Sequence, residues 1–144
     1  MTENIRFVAL GAVHRENELL VFEGESPESG DPYYRLLGGG VEFGECSQDA
    51  VVREFDEELG VEFADPTRVG TFERVFSHGG ETGHEVWRVY EGHIVEDWPY
   101  DRESFTFIEP ELGTEHLARW MPVEALREDE TTFYAPEVLD ALDV

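Results

Sequence analysis

The chain has 144 residues, 40% of them hydrophobic, which suits one domain with one packed core and excludes a disordered polyelectrolyte. Its 34 acidic residues outnumber 10 basic ones, giving a formal net charge of -24, and every basic residue is arginine. Such a surface repels nucleic acid, no apolar run is long enough to span a bilayer, and the N-terminus lacks the segments of a secretion signal, so a cytoplasmic location is expected. The one cysteine, Cys46, excludes an internal disulfide and a structural zinc site.

Residues 7–13 are apolar and read as a strand, and residues 18–22 as a second, with Arg15, Glu16 and Asn17 turning between them. Residues 24–32 mix Gly, Ser, Pro and Asp and form a loop. Residues 33–37 are a short strand that runs into Gly38, Gly39 and Gly40, a run that only a special backbone path requires. A helix is expected over residues 47–59. Val51, Val52, Phe55 and Leu59 recur at helical spacing as a stripe to bury, Asp49 suits the helix dipole, and Gly60 supplies the stop. Residues 68–76, 85–94 and 105–109 read as strands, the first two joined as a hairpin by the glycine-rich loop 77–83. A last short strand is expected over 117–121, with helices over 122–126 and 136–142, the latter opened by Pro136. Strands flanked by helices, with hairpins among them, predict an α/β fold with a mixed sheet between helical layers.

Glu54, Glu57 and Glu58 are spaced i, i+3 and i+4, so on a helix they share one face. Their mutual repulsion destabilises the bare helix unless something positive offsets it. Hard cations such as Mg²⁺ or Mn²⁺ take oxygen ligands and suit a small carboxylate cluster with room for water and phosphate. Arg53 precedes the cluster, and its planar fork can orient a carboxylate. In so acidic a chain, three neighbouring glutamates alone are better explained as a solvated face. The wider spacing decides the matter. Gly39, five residues, Glu45, seven residues, then Arg53, Glu54, Phe55, Asp56, Glu57, Glu58, Leu59, Gly60 and Val61 resembles the Nudix box at every specified position.

The resemblance covers residues 39–61 specifically, and the order of elements is compatible with one Nudix domain over residues 1–144. It implies a Nudix-type α/β/α sandwich with a mixed β-sheet. It also implies metal-dependent hydrolysis of a nucleoside diphosphate linked to another group, using Mg²⁺ or Mn²⁺. By position, Glu54, Glu57 and Glu58 match the metal-binding acids and Gly38 a residue whose carbonyl often ligates metal. Arg53 and Glu45 match supporting positions, so the expected catalytic set is Arg53, Glu54, Glu57 and Glu58. The expected partner is a small nucleotide: a nucleoside triphosphate, an ADP-ribose-like compound or a dinucleoside polyphosphate. Neither nucleic acid nor a membrane is expected, and a homodimer is left open. The same fold can serve as a non-catalytic nucleotide or ADP-ribose sensor, but such sensors tend to lose box acids and this box is intact.

Two departures stand out. Leu37 replaces a proline found in many relatives and extends the strand. Cys46 replaces a common Ser or Thr at the helix start, and because a thiol caps weakly the N-cap is expected to move to Ser47. The general base is left unassigned among Glu81, Glu85, Glu96, Asp97, Asp101, Glu103 and Glu111. Arg35 is a candidate for substrate phosphate, with a structural ion pair as the alternative. His78 and His84 flank Gly79 and Gly80, either as exposed hairpin residues or as contacts to a phosphate or a metal. Tyr33, Tyr34, Phe76, Trp87, Trp98 and Phe133 read as core or sheet residues in the main, with base stacking by one of them left open. The lysine-free, dispersed acidity resembles that of halophile proteins, in which near-molar salt screens the repulsion.

Overall fold

The computed structural model describes residues 3–26, 29–109, 113–128, 132–133 and 137–142, without the side chains of His78 and Thr132. The strands are β1 (Arg6–Arg15), β2 (Glu18–Glu25), β3 (Pro32–Gly40), β4 (Phe63–His78), β5 (Glu81–Ile94), β6 (Ser104–Ile108), β7 (Glu115–Pro122) and β8 (Thr132–Phe133). The helices are α1 (Ser47–Leu59), α2 (Val123–Leu126) and α3 (Glu137–Ala141). The strands join in the order β4-β5-β1-β3-β2-β7-β6, with β8 beside β3. The sheet is mixed because β1 runs parallel to β5 and antiparallel to β3.

Burial on β1 sets the layers. Val8, Leu10 and Ala12 pack with Val123 and Leu126 of α2 and Val138 and Leu139 of α3. Ala9 and Val13 point the other way, towards Ala50, Val51 and Phe55 of α1. A strand covered on both faces reads as a continuous apolar run rather than an alternating one, which is why residues 7–13 look as they do. The result is a helix–sheet–helix sandwich. Phe55 anchors α1 by packing against Phe63, ring centroids 4.6 Å apart. Truncating so buried a phenylalanine typically costs about 3–5 kcal/mol.

Several boundaries differ from the sequence expectation, each for a local reason. The glycines at 38–40 do not leave the strand but complete β3, paired to Leu10, Ala9 and Val8 of β1. β4 starts at Phe63 rather than at residue 68. Asp65 and Pro66, which interrupt the strand pattern, fall where the β4–β5 register shifts as a bulge, with Asp65 at φ 53. The β4–β5 turn is only Gly79 and Gly80, so the expected loop 77–83 is mostly strand. The first residue of α1 is Ser47 and its N-cap is Cys46, which makes no side-chain capping bond. The cap does not move to Ser47 because that hydroxyl is engaged with the Tyr90 hydroxyl at 2.7 Å. Along the α1 stripe Val51 and Phe55 are buried, whereas Val52 and Leu59 are half-buried. Gly60 closes the helix in the left-handed conformation, φ 68 and ψ 31, donating to the Asp56 and Phe55 carbonyls. β8 has no counterpart in the sequence reading, and Pro136 lies outside the described residues. No helix among the described residues is long and apolar enough to cross a membrane.

Candidate active site

A cleft of about 430 Å³ is lined from both faces of the sheet, within the range expected of a small-molecule site. Its passage is the glycine run ending β3. Successive strand residues point to opposite faces. A Cβ on Gly39 would lie 2.6 Å from both Glu54 carboxylate oxygens, while one on Gly40 would lie 3.2 Å from the Arg6 guanidinium. The missing side chains therefore leave a low saddle. Glu54, Glu57 and Glu58 of α1 stand at one end of the cleft, and Arg6, Glu85, Trp87 and Phe76 line it beyond the saddle.

At the acid end, Arg53 is the hub. Its Nε and Nη2 donate to the Glu45 carboxylate at 2.8 and 3.0 Å, its Nη1 to Glu54 at 3.0 Å and Glu57 at 3.1 Å, and its Nη2 also to the Gly40 carbonyl at 3.1 Å. All five N–H donors of the guanidinium are thus engaged. Glu45 in turn accepts the Glu42 backbone N–H, which closes the loop between β3 and α1. The bonds from Arg53 hold the Glu45 carboxyl below its usual range, and those from Glu45 push the guanidinium further above its own.

The Glu58 carboxyl behaves in the opposite way. It is pushed up to about 8, first by burial, then by its hydrogen bond with Glu54 and the charge of Glu54, with Glu109 adding repulsion and Arg35 opposing it. Burial and the neighbouring Glu54 charge thus both favour the neutral form of Glu58. Among the described residues no three His, Cys, Asp or Glu side chains form a ready-made cation cluster. Glu54 and Glu58 converge, whereas Glu57 turns towards Arg53.

The remaining candidates divide clearly. Gly38 lines the cleft opposite Leu10. Arg35 lines it too, its guanidinium 4.5 Å from the Phe22 ring centroid, and makes no ion pair within 4 Å among the described residues. Tyr33, Phe76 and Trp87 face the cleft, but Tyr34 and Phe133 are core residues and Trp98 packs on Phe105. Of the acids considered as general base, only Glu85 lines the cleft among the described residues. Glu103 pairs with Arg15, Glu96 accepts the Glu62 N–H, and Glu111 is outside the described set. His84 pairs with Glu73 at 2.8 Å, away from the cleft, and the side chain of His78 is outside the described set.

The sequence reading singled out none of Arg6, Glu109 and His116 for the cleft. Glu109 and His116 face each other across the β6–β7 hairpin at 3.5 Å, with His116 against Phe22 and Phe107. The available signal was the alternation Phe105, Phe107, Glu109, which carries the buried face of β6 one step past its end into the cleft.

The model of the NUDIX domain family matches residues 5–142. A Mycobacterium tuberculosis protein named "Putative 8-oxo-dGTP diphosphatase 2" is 29% identical over 119 residues, 83% of this chain and 82% of that one. Among solved structures, the MutT NUDIX hydrolase of Burkholderia pseudomallei superposes with a TM-score of 0.68 at 23% identity, over 97% of this chain and 99% of its own. A NUDIX hydrolase of Nitrosomonas europaea gives 0.64 at 20% identity, over 96% and 86%. At these identities the structural likenesses concern the fold.

Proposed function

This chain belongs to the NUDIX domain family and is a Nudix hydrolase, and from that premise we propose that it cleaves the pyrophosphate linkage of a nucleoside triphosphate of the 8-oxo-dGTP type at Glu54, Glu57 and Glu58. The observation that carries the reading is the meeting of these glutamates with Arg53 at the mouth of a nucleotide-sized cleft. The substrate class is suggested by the name of the M. tuberculosis relative.

The donor set fits Mg²⁺ or Mn²⁺. Glu54 and Glu58 offer hard oxygen ligands, and burial of Glu58 against the Glu54 charge pushes its carboxyl up, the like-charge crowding that a divalent cation relieves. Glu57 completes the set from a half-exposed ion pair with Arg53 worth at most about 1 kcal/mol, and Gly38 lines the same cleft. When bound, such a cation supplies a water that is nucleophilic at neutral pH and a counter-charge for the phosphate oxygens. Arg53 does not meet substrate in this scheme; it fixes the carboxylates through its saturated fork while Glu45 fixes Arg53. Arg35 supplies a positive charge facing Glu58 across the cleft, placed to receive a phosphate oxygen.

The test is hydrolysis of a panel of 8-oxo-dGTP, the common nucleoside triphosphates, ADP-ribose and dinucleoside polyphosphates, with Mg²⁺ and with Mn²⁺ in molar KCl. Release of pyrophosphate and a nucleoside monophosphate is expected from a triphosphate. Cleavage of ADP-ribose alone overturns the substrate class, and metal-independent turnover overturns the site.

A further inference from the structure

We propose that the end of the cleft beyond the glycine saddle is a base-recognition subsite for a guanine-type purine, and that Glu85 sets the preference. This rests on the hydrolase reading above, which places the phosphates at the acid end.

The sheet register builds this subsite. Val8 on β1 is flanked by Gly40 on β3 and Trp87 on β5, and Trp87 by Phe72 on β4, so these positions share one face. One residue pair along, Arg6 is in register with Glu85. Two strand spacings, about 10 Å, separate the saddle from the β5 row, a reach spanned by a ribose and its base. The floor there is apolar, made by Val8, Leu10 and Trp87. The Phe76 ring lies over Gly83, where a Cβ would collide with it, and so borders the same end. An apolar floor beside an aromatic ring suits a flat heterocycle, which can stack on it through its π-face.

The polar groups then select which heterocycle. The Trp87 indole N–H donates to Glu85 Oε1 at 2.8 Å and fixes the carboxylate's orientation. Arg6 reaches Glu85 Oε2 at only 3.5 Å. Each carboxylate oxygen keeps a free lone pair for the cleft, and Arg6 adds donors beside it. The site therefore presents a donor followed by two acceptors. The guanine edge presents the complement: O6 as acceptor, then N1–H and the 2-amino group as donors. Adenine sets a ring-nitrogen lone pair against one carboxylate oxygen, and thymine sets a carbonyl there. As an ion pair alone, Glu85 is poorly explained. Arg6 is 57% exposed and the pair is long, so it adds little stability, yet the carboxylate is held at 19% exposure against a buried indole.

The experiment measures binding and turnover separately. Calorimetric titration with dGMP, dIMP and dAMP reads the subsite without hydrolysis. Wild type is expected to bind dGMP about tenfold tighter than dIMP, which lacks only the 2-amino group, and tighter still than dAMP. In Glu85→Gln one acceptor becomes a donor, and the dGMP-to-dIMP ratio should fall towards one. An equal loss for all three nucleotides assigns Glu85 a structural role and overturns the proposal, as does a wild type blind to the base. Guanine-selective binding without turnover of any nucleotide leaves the subsite standing and removes the hydrolase reading; base-blind turnover does the reverse. Thermal melting of Glu85→Gln within about 2 °C of wild type, roughly a 0.5 kcal/mol change, certifies the fold.

Discussion

Glu58→Gln should make the metal-free protein more stable at alkaline pH while abolishing its activity. The Glu58 carboxyl is pushed up from 4.5 to about 8, chiefly by burial and by its hydrogen bond with Glu54. A carboxyl that holds its proton more tightly in the folded state than in the unfolded one penalises folding once it must ionise. The penalty is absent below the unfolded value of 4.5, grows as pH rises towards 8, and is constant above that. The gap converts at about 1.4 kcal/mol per pH unit, which sets a ceiling near 5 kcal/mol. The side chain borders an open cleft, so solvent and salt screening reduce this to about 1–2 kcal/mol.

Glutamine removes the charge, keeps the volume, and can still donate to the Glu54 carboxylate. In a chain of this length the gain corresponds to roughly 3–6 °C in melting temperature. The assay is thermal unfolding in EDTA at pH 4.5, 6.5 and 8.5. The variant should match wild type at pH 4.5 and exceed it at pH 8.5. Added Mg²⁺ should reverse the order, raising wild type and leaving the variant unchanged. A variant no more stable than wild type at pH 8.5 in EDTA refutes the claim that Glu58 carries a buried, crowded charge.

Two further substitutions probe the same end of the cleft. Glu57→Gln removes a half-exposed carboxylate whose only described side-chain partner is Arg53, so kcat should fall by about 10²–10³ with the melting temperature nearly unchanged; near-normal turnover removes Glu57 from the site. Gly39→Ala puts a methyl where the Glu54 carboxylate now lies while leaving the β1–β3 backbone pairing intact, so kcat should drop by up to about a hundredfold in a folded protein, as steady-state kinetics beside circular dichroism would show.

The acid end was legible in the sequence because it is local. One helix, its N-terminal loop and its glycine stop place Glu54, Glu57, Glu58, Arg53 and Glu45 within 20 residues, and helical periodicity alone puts three of them on one face. The saddle was legible only as a puzzle. Gly38, Gly39 and Gly40 signalled close approach, but not that they stay in strand, nor that Glu54 and Arg6 occupy opposite sides of them. The far end was illegible because it is assembled across strands. Arg6 and Glu85 are 79 positions apart and meet through the parallel β1–β5 register, which no periodicity encodes. Glu109 closed the strand read over 105–109, but as one acid among 34 it carried no local mark, and its place in the cleft comes from the β6–β7 pairing. The N-cap of α1 was misjudged for a related reason: the demand on Ser47 comes from Tyr90, 43 residues away.

The surrounding acidity follows a different physics from the site, and salt separates the two. The net charge of -24 is spread over exposed positions on nearly every element, among them Glu16, Asp31, Asp49, Glu62, Glu73, Asp101 and Glu124. Six of the ten arginines are already committed to ion pairs among the described residues: Arg6, Arg15, Arg53, Arg74, Arg119 and Arg127. Little positive charge remains to offset the surface, so mobile cations must do it. At 0.1 M salt the Debye length is about 10 Å and neighbouring acids repel; at 1 M it is about 3 Å and most of that repulsion is gone. The melting temperature should therefore climb steeply between 0.1 and 2 M KCl. Screening acts far less on the Glu54–Glu58 pair, whose separation is a hydrogen bond and whose surroundings are partly desolvated. The stabilisation by millimolar Mg²⁺ should accordingly persist at 2 M KCl in wild type and be missing in Glu58→Gln. A melting temperature indifferent to KCl refutes the adaptation to salt, and a Mg²⁺ effect that vanishes in KCl reassigns it from the site to the surface.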